Sequence, residues 1–404
     1  MPSRDRASGS SKASPKVTSR NASGGTLASL AAELGVSRTT VSNAYNHPEE
    51  LSPKLREKIL ATAKKLGYPG PDPTARQLRQ GRTGAIGVLL TDSLTYAFED
   101  RASVDFLAGL AAALGSAATP AAPGYALTLV PIAPGTENLA AIQQAAVDGF
   151  VLYSVSESDP HALAARNRGL PLVICDQPKT VEELPFIGIN DRASIAPAAQ
   201  ALVQAGHRRI GMLSIRLDRL PHDGPISSGR VAHASHHVQR DRILGALDVF
   251  AGAGLSPETI PAVERHLNTP YHARSAAAEL LDAHPDLTAV LCTTDTMALA
   301  TLEVARERGL SVPGDLSVTG FDGIEAALDR GLTTVIQPNR AKGAAAGRMM
   351  ISQLGESARR SRGRSGARAQ AKYDSAVRTT EVERVLLPTE FSPGATVGPA
   401  RGGR

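Results

Sequence analysis

The sequence has no tryptophan, and tryptophan, tyrosine and phenylalanine together supply only 3% of its 404 residues. Hydrophobic residues still make up 42%, so the cores must be built from small aliphatic side chains, as in a soluble globular protein of two or three domains. Only two cysteines occur, Cys175 and Cys292, and each ends an apolar run. Their number and spacing exclude a disulfide framework or a cysteine metal site and predict two reduced, buried thiols.

Long apolar segments are also missing. No run is long enough to span a membrane, and residues 1–25, rich in Ser, Gly and Lys, lack the apolar core of a secretory signal. The sequence therefore predicts a cytoplasmic protein without a membrane partner. Residues 1–25 and 392–404 are expected to be disordered tails.

Motifs of the common enzyme classes are absent as well: there is no G-x-S-x-G, no Walker loop, no G-x-G-x-x-G after a strand and no H-E-x-x-H. A cluster formed by His233, His236 and His237 has no cysteine or acidic partner at ligand spacing. The sequence therefore predicts no catalytic residue, no cofactor and no metal ligand, and a protein that is not an enzyme.

Charge is distributed unevenly along the chain. Residues 1–83 carry 14 lysines and arginines against 6 acidic residues, whereas residues 84–404 carry 30 against 33. A basic N-terminal part on a mildly acidic body is typical of a protein that binds a polyanion at one end.

Residues 26–66 show three short helical patterns in succession. Thr26, Ser37 and Ser52 are each placed to cap the start of a helix, and Gly35 is placed to end the first. Three short helices with a tight turn after the first indicate a helix-turn-helix unit. The outer face of the second helix carries Ser, Thr, Asn and Arg, where a merely solvated helix is usually rich in Glu and Lys. This second helix is therefore predicted to contact DNA bases.

The segment "TLASLAAELGVSRTTVSNAYNHPEELSPKLREKILATAKKLGY" resembles the headpiece of the LacI/GalR family of bacterial transcription regulators. The resemblance continues through "DPTARQLRQGRTGAIGVLL" and covers about residues 26–390. It implies an α + α/β fold with a helix-turn-helix headpiece in 26–70, a hinge helix in 71–83, and a two-lobed doubly wound α/β effector domain of the periplasmic-binding-protein type (type I) in 84–391. One departure is Ser29, where the family usually has an acidic residue.

The same resemblance implies which side chains meet the operator. Base-reading positions fall on Arg38, Thr39 and Asn43; arginine suits the O6 and N7 atoms of guanine, and asparagine suits adenine or a mixed contact. Three other polar residues are better placed for phosphates, which position the protein without specifying sequence: Ser37, Thr40 and Ser42.

The segment 71–83 has two interpretations. Its Pro and Gly content is that of a flexible linker, but it also contains a helix-compatible stretch too short to be stable alone in water. In the second interpretation the helix forms only when it is docked on DNA. Leu78 then enters the minor groove as an apolar wedge beside Ala75 and Arg76, as the family resemblance implies.

From residue 84 onward, short apolar runs alternate with helical stretches, which predicts parallel, doubly wound sheets in two lobes. The resemblance implies three crossings between the lobes, near 191, 337 and 375, the last before the strand at 382–387. Two segments are interpreted as insertions. Residues 216–238 are expected to form a surface loop beside the cleft, and 359–373, with six basic and no acidic residues, a disordered loop.

Ligands of open α/β sheets bind beyond the carboxyl ends of the strands. Carboxylates, an arginine and aromatic faces near those ends suit a sugar, a polyol or another polar metabolite, although each Asp can instead cap the next helix. The resemblance matches Arg242, Asp322 and Gln337 best to effector contacts. Thr294 and Gly323 depart from the family pattern and leave the effector open. The full set of candidates is Asp92, Tyr96, Phe98, Asp191, Arg242, Asp295, Asp322 and Gln337.

The sequence therefore predicts a homodimeric, ligand-responsive transcription regulator, a repressor of a near-palindromic operator, whose partners are double-stranded DNA and a small polar effector. Two alternatives stay open. One is a regulator with a vestigial cleft that a partner protein controls, and the other is a solute-binding protein. The headpiece argues against the second.

Overall fold

The computed structural model describes residues 25–46, 48–71, 81–90, 94–118, 124–130, 139–156, 158–366 and 382–401. The chain divides into two compact units, Met1–Gly81 and Arg82–Arg404. Several sequence predictions concern residues outside the described ranges: the tail at 1–24, Asp92, and the hinge residues Ala75, Arg76 and Leu78.

The first unit contains the helices Leu27–Leu34, Arg38–Asn46 and Pro53–Lys65 and a 3-10 turn at Pro48–Glu50. Their inward faces form one small core. Its fully or almost fully buried apolar members are Leu30, Ala31, Val41, Ala44, Ile59 and Ala63. The predicted helix-turn-helix unit is confirmed.

Local hydrogen bonds set the ends of these helices. Thr26 Oγ1 accepts from the Ser29 amide at 3.1 Å, and Ser29 Oγ accepts from the Thr26 amide at 2.8 Å, which completes a capping box. Ser29 therefore supplies the third helical residue of this capping box. Gly35, with φ of 66°, ends the first helix in the left-handed region. Ser37 Oγ accepts from the Thr40 amide at 3.0 Å and starts the second helix.

The strands of the second unit are β1 (Ala85–Leu90), β2 (Ala126–Val130), β3 (Gly149–Tyr153), β4 (Leu172–Cys175), β5 (Phe186–Gly188), β6 (Ile210–Ile215), β7 (Gly224–Pro225), β8 (Ala262–Arg265), β9 (Ala289–Cys292), β10 (Ser317–Thr319), β11 (Thr334–Ile336), β12 (Arg384–Leu386) and β13 (Glu390–Ser392). The helices are Leu94–Glu99, Arg101–Ser116, Ala140–Gln144, Pro160–Asn167, Asp191–Ser194, Ala196–Gln204, Ser228–Ala232, His237–Gly252, Pro270–Ala283, Asp295–Glu307, Glu325–Asp329 and Asn339–Gly366, with a 3-10 turn at Pro257–Thr259. Within the described ranges, no helix is long and apolar enough to cross a membrane.

Two sheets form two lobes. The first has the order β12-β5-β4-β3-β1-β2, with every neighbouring pair parallel. The second has the order β10-β9-β6-β8-β7 and is parallel except for β7. Along β1, Val88 joins one buried cluster and Leu89 joins another, as expected for a strand that is covered on both faces. The predicted doubly wound, two-lobed α/β fold is confirmed.

The chain passes from the first lobe to the second after β5 and returns after β11, close to the predicted positions 191 and 337. The third crossing was predicted near 375, before the strand at 382–387, and this is wrong. β12 pairs with β5 in the first lobe, whereas β13 pairs with β11 in a separate two-stranded sheet, and Val335 of β11 belongs to a core cluster of the second lobe. The third crossing therefore lies between Leu386 and Glu390, after that strand.

The C-terminal segment was predicted to be disordered from 392 onward, and this is wrong for the residues up to 401. The Val318 amide donates to the carbonyl of Thr396 at 2.9 Å, and the Ala400 amide donates to the carbonyl of Ala205 at 2.8 Å. Backbone hydrogen bonds to the second lobe hold a segment that has no apolar periodicity of its own.

Both predicted insertions contain regular secondary structure within their described residues. Segment 216–238 contains β7 and a short helix, and it buries Leu217 completely and Val231 almost completely. These apolar contacts correct the surface-loop prediction. The 359–373 segment was predicted to be a disordered loop, but its residues 359–366 continue the last helix, which ends at Gly366; residues 367–373 lie outside the described ranges. No proline interrupts this stretch.

The two cysteines, at the ends of β4 and β9, are free and buried, as predicted. Burial raises the pKa of the Cys292 thiol to about 12 and raises the pKa of Cys175 well above its ordinary value. Both thiols are therefore protonated and unreactive structural groups.

Glycines bring two helices of the first lobe into close contact. A Cβ atom on Gly343, in the last helix, would collide with the carbonyl oxygen of Phe106 and lie 2.8 Å from the amide nitrogen of Leu110. A Cβ on Gly109, in the facing helix, would collide with the carbonyl oxygen of Arg340. Both obstructing groups are backbone, so a side chain at either glycine forces the helices apart.

Gly343→Ala should therefore lower the free energy of unfolding by about 1–3 kcal/mol, as overpacking usually does, although alanine has a better helix propensity by about 1 kcal/mol. Gly355→Ala in the same helix is the matched control, because nothing lies within 4 Å of a Cβ at that exposed position. It should be neutral or stabilising. Urea unfolding measures both variants, and equal effects would contradict the close helix contact.

Candidate functional site

The second helix of the headpiece presents most of the residues predicted to contact DNA. Arg38 and Thr39 are exposed, and Asn43 is half-buried. Asn43 Nδ2 donates to Glu50 Oε2 at 2.6 Å. Because Val41 and Ala44 lie in the core, the opposite face of this helix is the one available to a partner.

The residues predicted to meet phosphates have local structural roles as well. Ser37 caps the helix, and its Oγ lies 2.9 Å from the hydroxyl of Thr40. Ser42 is half-buried. A hydroxyl has a donor and two acceptor positions, so the cap leaves Ser37 and Thr40 with hydrogen-bonding capacity for a phosphate.

A small polar cleft of about 80 Å³ lies between the lobes of the second unit and opens to solvent. The first lobe lines it with Asp100, Ser103, Tyr153, Ser154, Asp176 and Gln177. The second lobe lines it with Arg216, His236, Gln239, Asn268 and Thr294, together with the predicted residues Arg242, Asp322 and, at the second crossing, Gln337.

The three residues that best matched effector positions are brought together. Arg242 NH1 donates to Asp322 Oδ1 at 3.4 Å and to the carbonyl of Thr293 at 2.8 Å. Gln337 Nε2 donates to the same Asp322 oxygen at 2.6 Å. The guanidinium also lies 3.8 Å from the ring centroid of Phe321. Arg242 is thus held by hydrogen bonds and a cation–π contact.

Asp191 and Asp295 do not line the cleft, and their assignment as ligand contacts stays a prediction. Asp191 accepts from Arg242 Nε at 3.1 Å and from Lys179 at 3.2 Å, so it holds the arginine from behind. Asp295 accepts from the Thr334 hydroxyl at 2.6 Å and from the Ile324 amide at 2.9 Å. Both carboxyl groups therefore accept hydrogen bonds from the protein itself.

The two aromatic candidates are not brought into the described cleft. Phe98 is 61% exposed and does not line the cavity, so its assignment as a ligand contact stays a prediction. The side chain of Tyr96 lies outside the part of the chain that the structure describes. The aromatic ring that does line the cleft is Tyr153, which stacks on Phe106 with ring centroids 4.1 Å apart.

Asp176 is the principal cleft residue that the sequence interpretation missed. Its two carboxylate oxygens accept from Lys342 Nζ at 3.0 and 2.8 Å, and the same ammonium donates to Gln337 Oε1 at 2.9 Å. Asp176 follows β4 directly, so the strand-end rule that selected the other aspartates could have found it. Lys342, the ion-pair partner of Asp176, lies 166 residues away, so no local sequence pattern indicates the pairing.

Gln177 connects the lobes. Its Nε2 lies 2.8 Å from the Ser154 carbonyl and 2.8 Å from His236 Nδ1, and its Oε1 accepts from the Val238 amide at 3.2 Å. Because Gln177 donates, Nδ1 of His236 must accept, which requires a neutral imidazole. Burial and the nearby Arg216 lower the pKa of His236 to about 3, so the ring remains neutral near pH 7.

Backbone strain is concentrated at the cleft. Among the described residues, the non-glycine residues with positive φ are Ser154 (58°), Asp176 (66°) and Asp322 (125°), and all three line it. Such conformations cost about 1–3 kcal/mol each and are retained mainly at functional sites. Burial also raises the pKa of Asp322 to about 8, with Arg242 acting in the opposite direction. In the part of the chain described here, no group of His, Cys, Asp and Glu is placed to hold a metal ion.

A helix-turn-helix headpiece followed by this two-lobed domain defines a DNA-binding transcription regulator. Residues 26–70 match the family described as "Bacterial regulatory proteins, lacI family", and residues 199–369 match the "Periplasmic binding protein-like domain". The chain belongs to the LacI family. Membership of this family places it among transcription regulators and not among enzymes.

Among its relatives, the HTH-type transcriptional regulator IpsA of Corynebacterium glutamicum is 52% identical over 380 residues, which cover 93% of this chain and 98% of that protein. Rv3575c of Mycobacterium tuberculosis, another HTH-type transcriptional regulator, is 45% identical over 329 residues, which cover 81% of this chain and 90% of that protein.

Solved structures show the same architecture. A LacI family regulator from Corynebacterium glutamicum superposes with a TM-score of 0.67 at 50% identity, covering 92% of this chain and 98% of that one. The lac repressor dimer bound to operator and the anti-inducer ONPF superposes with a TM-score of 0.67 at 22% identity, covering 93% and 99%. The second likeness shows the shared fold alone.

Proposed function

We propose that this protein is a ligand-responsive repressor that binds a near-palindromic operator as a homodimer. The observation that carries the DNA part is the capped second headpiece helix, whose exposed face bears Arg38 and Thr39 and whose half-buried Asn43 is oriented by Glu50. A two-fold dimer matches a two-fold operator. In this proposal Arg38, Thr39 and Asn43 contact bases, and Ser37, Thr40 and Ser42 contact phosphates.

The proposal includes the hinge. Residues 71–83 fold into a helix on the operator, and Leu78 enters the minor groove with Ala75 and Arg76 beside it. This rests on the sequence alone, because most of the hinge lies outside the described residues. Docking two short hinge segments together gives the body of the protein a way to control the headpieces.

The effector in this proposal is a small polar metabolite, most simply a sugar or another polyol, held between the lobes. The support is the cleft itself, where hydrogen-bonding side chains from both lobes converge and where the strained backbone positions cluster. Arg242, Asp322 and Gln337 contact the ligand. A regulator of the family, CelR, has been solved as a cellobiose complex. Coupling between cleft and DNA is typically about 1–3 kcal/mol and reciprocal.

The DNA part is tested with Arg38→Ala on an operator selected from random DNA. Loss of a bidentate base contact should weaken operator binding by about 1–3 kcal/mol and relax the preference at one base position, while binding to random DNA changes little. Arg306→Ala, at an exposed arginine in the second lobe, controls for one lost charge. If operator and random DNA lose affinity equally, Arg38 contacts only phosphate.

The effector part is tested by thermal unfolding with a panel of neutral sugars, polyols and nucleosides. Stabilisation by one compound, together with a change in operator affinity, supports the proposal. If no compound stabilises the protein, control by a partner protein at a vestigial cleft becomes the better explanation.

A further inference from the structure

The hydrogen bond between Asn43 and Glu50 joins the DNA-facing helix to the turn that follows it. Glu50 ends the 3-10 turn Pro48–Glu50, and its Oε2 accepts from Asn43 Nδ2 at 2.6 Å. Glu50 is exposed, whereas Asn43 is half-buried beside the core residue Ala44. The acidic group therefore stands next to a residue that is proposed to contact a base, on a surface that approaches a polyanion.

The bond fixes the orientation of the Asn43 amide. A carboxylate accepts hydrogen bonds and cannot donate them, so the reversed amide would place Oδ1 of Asn43 against Oε2 of Glu50. Only one of the two Nδ2 hydrogens is used by Glu50. The other hydrogen and Oδ1 remain for a base, in one fixed order.

We propose that Glu50 is a positioning residue for operator specificity: by holding the amide of Asn43 in one orientation, it makes this side chain select adenine. Oδ1 then accepts from the N6 amino group and Nδ2 donates to N7, the pairing that distinguishes adenine in the major groove. A reversed amide would turn a donor toward the O6 of guanine. This inference rests on the proposed base-contacting role of Asn43.

The charge of Glu50 has a second consequence. A carboxylate at the DNA face repels the phosphates, so its removal should increase affinity for any DNA sequence. Glu50 thus lowers total affinity while it raises selectivity. A residue that only adds charge would change the affinity for all DNA and leave the base selectivity unchanged. Measuring both quantities therefore separates the two roles.

The test compares full-length wild type with Glu50→Gln, whose amide allows Asn43 either orientation. Affinity is measured for the selected operator and for operators with each adenine of a half-site changed to guanine. In Glu50→Gln, the ratio of affinities for adenine over guanine should fall about tenfold at one position. The variant should also bind random DNA more tightly. Glu57→Gln, an exposed carboxylate in the third headpiece helix, removes the same charge and should keep every base preference.

Asn43→Ala separates the possible failures. If Asn43→Ala relaxes one position and Glu50→Gln relaxes none, the positioning role of Glu50 is overturned and the base contact stands. If Asn43→Ala relaxes no position, the base contact itself is wrong, and the inference falls with it. Glu50→Gln added to Asn43→Ala should change no base preference further, since there is then no amide to orient; a further change would also overturn the inference.

Discussion

Replacing Lys342 with methionine should lower the free energy of unfolding of the second unit by about 3–5 kcal/mol, the usual cost of removing one partner of a buried ion pair. The Lys342 side chain is only 1% exposed. Burial lowers its pKa, but the charge of Asp176 more than offsets this, so the net shift is upward. Methionine fills a similar volume and leaves the Asp176 carboxylate buried without its cation.

Thermal or urea unfolding measures the loss, and Arg340→Met is the matched control. Arg340 lies in the same helix, but its side chain is 74% exposed and pairs with Asp105 at the surface, so its removal should cost less than about 1 kcal/mol. Adding Asp176→Asn to Lys342→Met should recover part of the loss, because no unpaired charge then remains. If Lys342→Met costs no more than the control, the buried ion pair does not form in solution.

Features that depend on a few neighbouring residues could be predicted from the sequence. Thr26, Ser37 and Ser52 were expected to cap helices, and all three side chains accept hydrogen bonds from backbone amides within the first turn. The alternation of apolar runs and helices likewise predicted two doubly wound sheets. In each case the decisive interaction lies within a span of residues that a sequence pattern covers.

The cleft could be predicted only in part, because its contacts join distant parts of the chain. The rule that aspartates at strand ends meet the ligand selected both Asp295 and Asp322, yet only the second lines the cleft. Which way each carboxylate turns depends on partners such as Thr334 and Gln337, which follow β10 in the chain. The pairing of Asp176 with a lysine beyond the second crossing depends on how the two lobes pack.

The order of the C-terminal segment was missed for the same reason. Residues 393–401 have no apolar periodicity, so their sequence is that of a loop. Their backbone amides and carbonyls, however, bond to groups in the second lobe that the sequence does not place nearby, such as the amide of Val318. Hydrogen bonds between peptide groups carry almost no side-chain signature.

Asp322→Asn should make the stability of the second unit less dependent on pH. Burial raises the pKa of Asp322 from its ordinary 3.8 to about 8. Between these values the folded protein keeps a proton that the unfolded chain has released. The stabilisation is therefore fully present below about pH 4 and is lost as pH rises toward 8, at up to about 1.4 kcal/mol per pH unit. Asparagine carries no such proton.

The substitution is mild in other respects. An asparagine oxygen can still accept from Gln337 and Arg242, and asparagine tolerates positive φ better than most residues.

Stability is measured at pH 5, 6, 7 and 8 for wild type, Asp322→Asn and the control Asp329→Asn, whose carboxyl group is exposed. The free energy of unfolding of the wild type and of the control should depend on pH in the same way. Relative to Asp322→Asn, both should lose stability as pH rises, so that Asp322→Asn is the more stable protein toward pH 8. If all three run parallel, Asp322 is ionised in the folded cleft and meets a ligand hydroxyl only as an acceptor. If the curves diverge as expected, its carboxyl group is neutral near pH 7 and can both donate to and accept from a polyol.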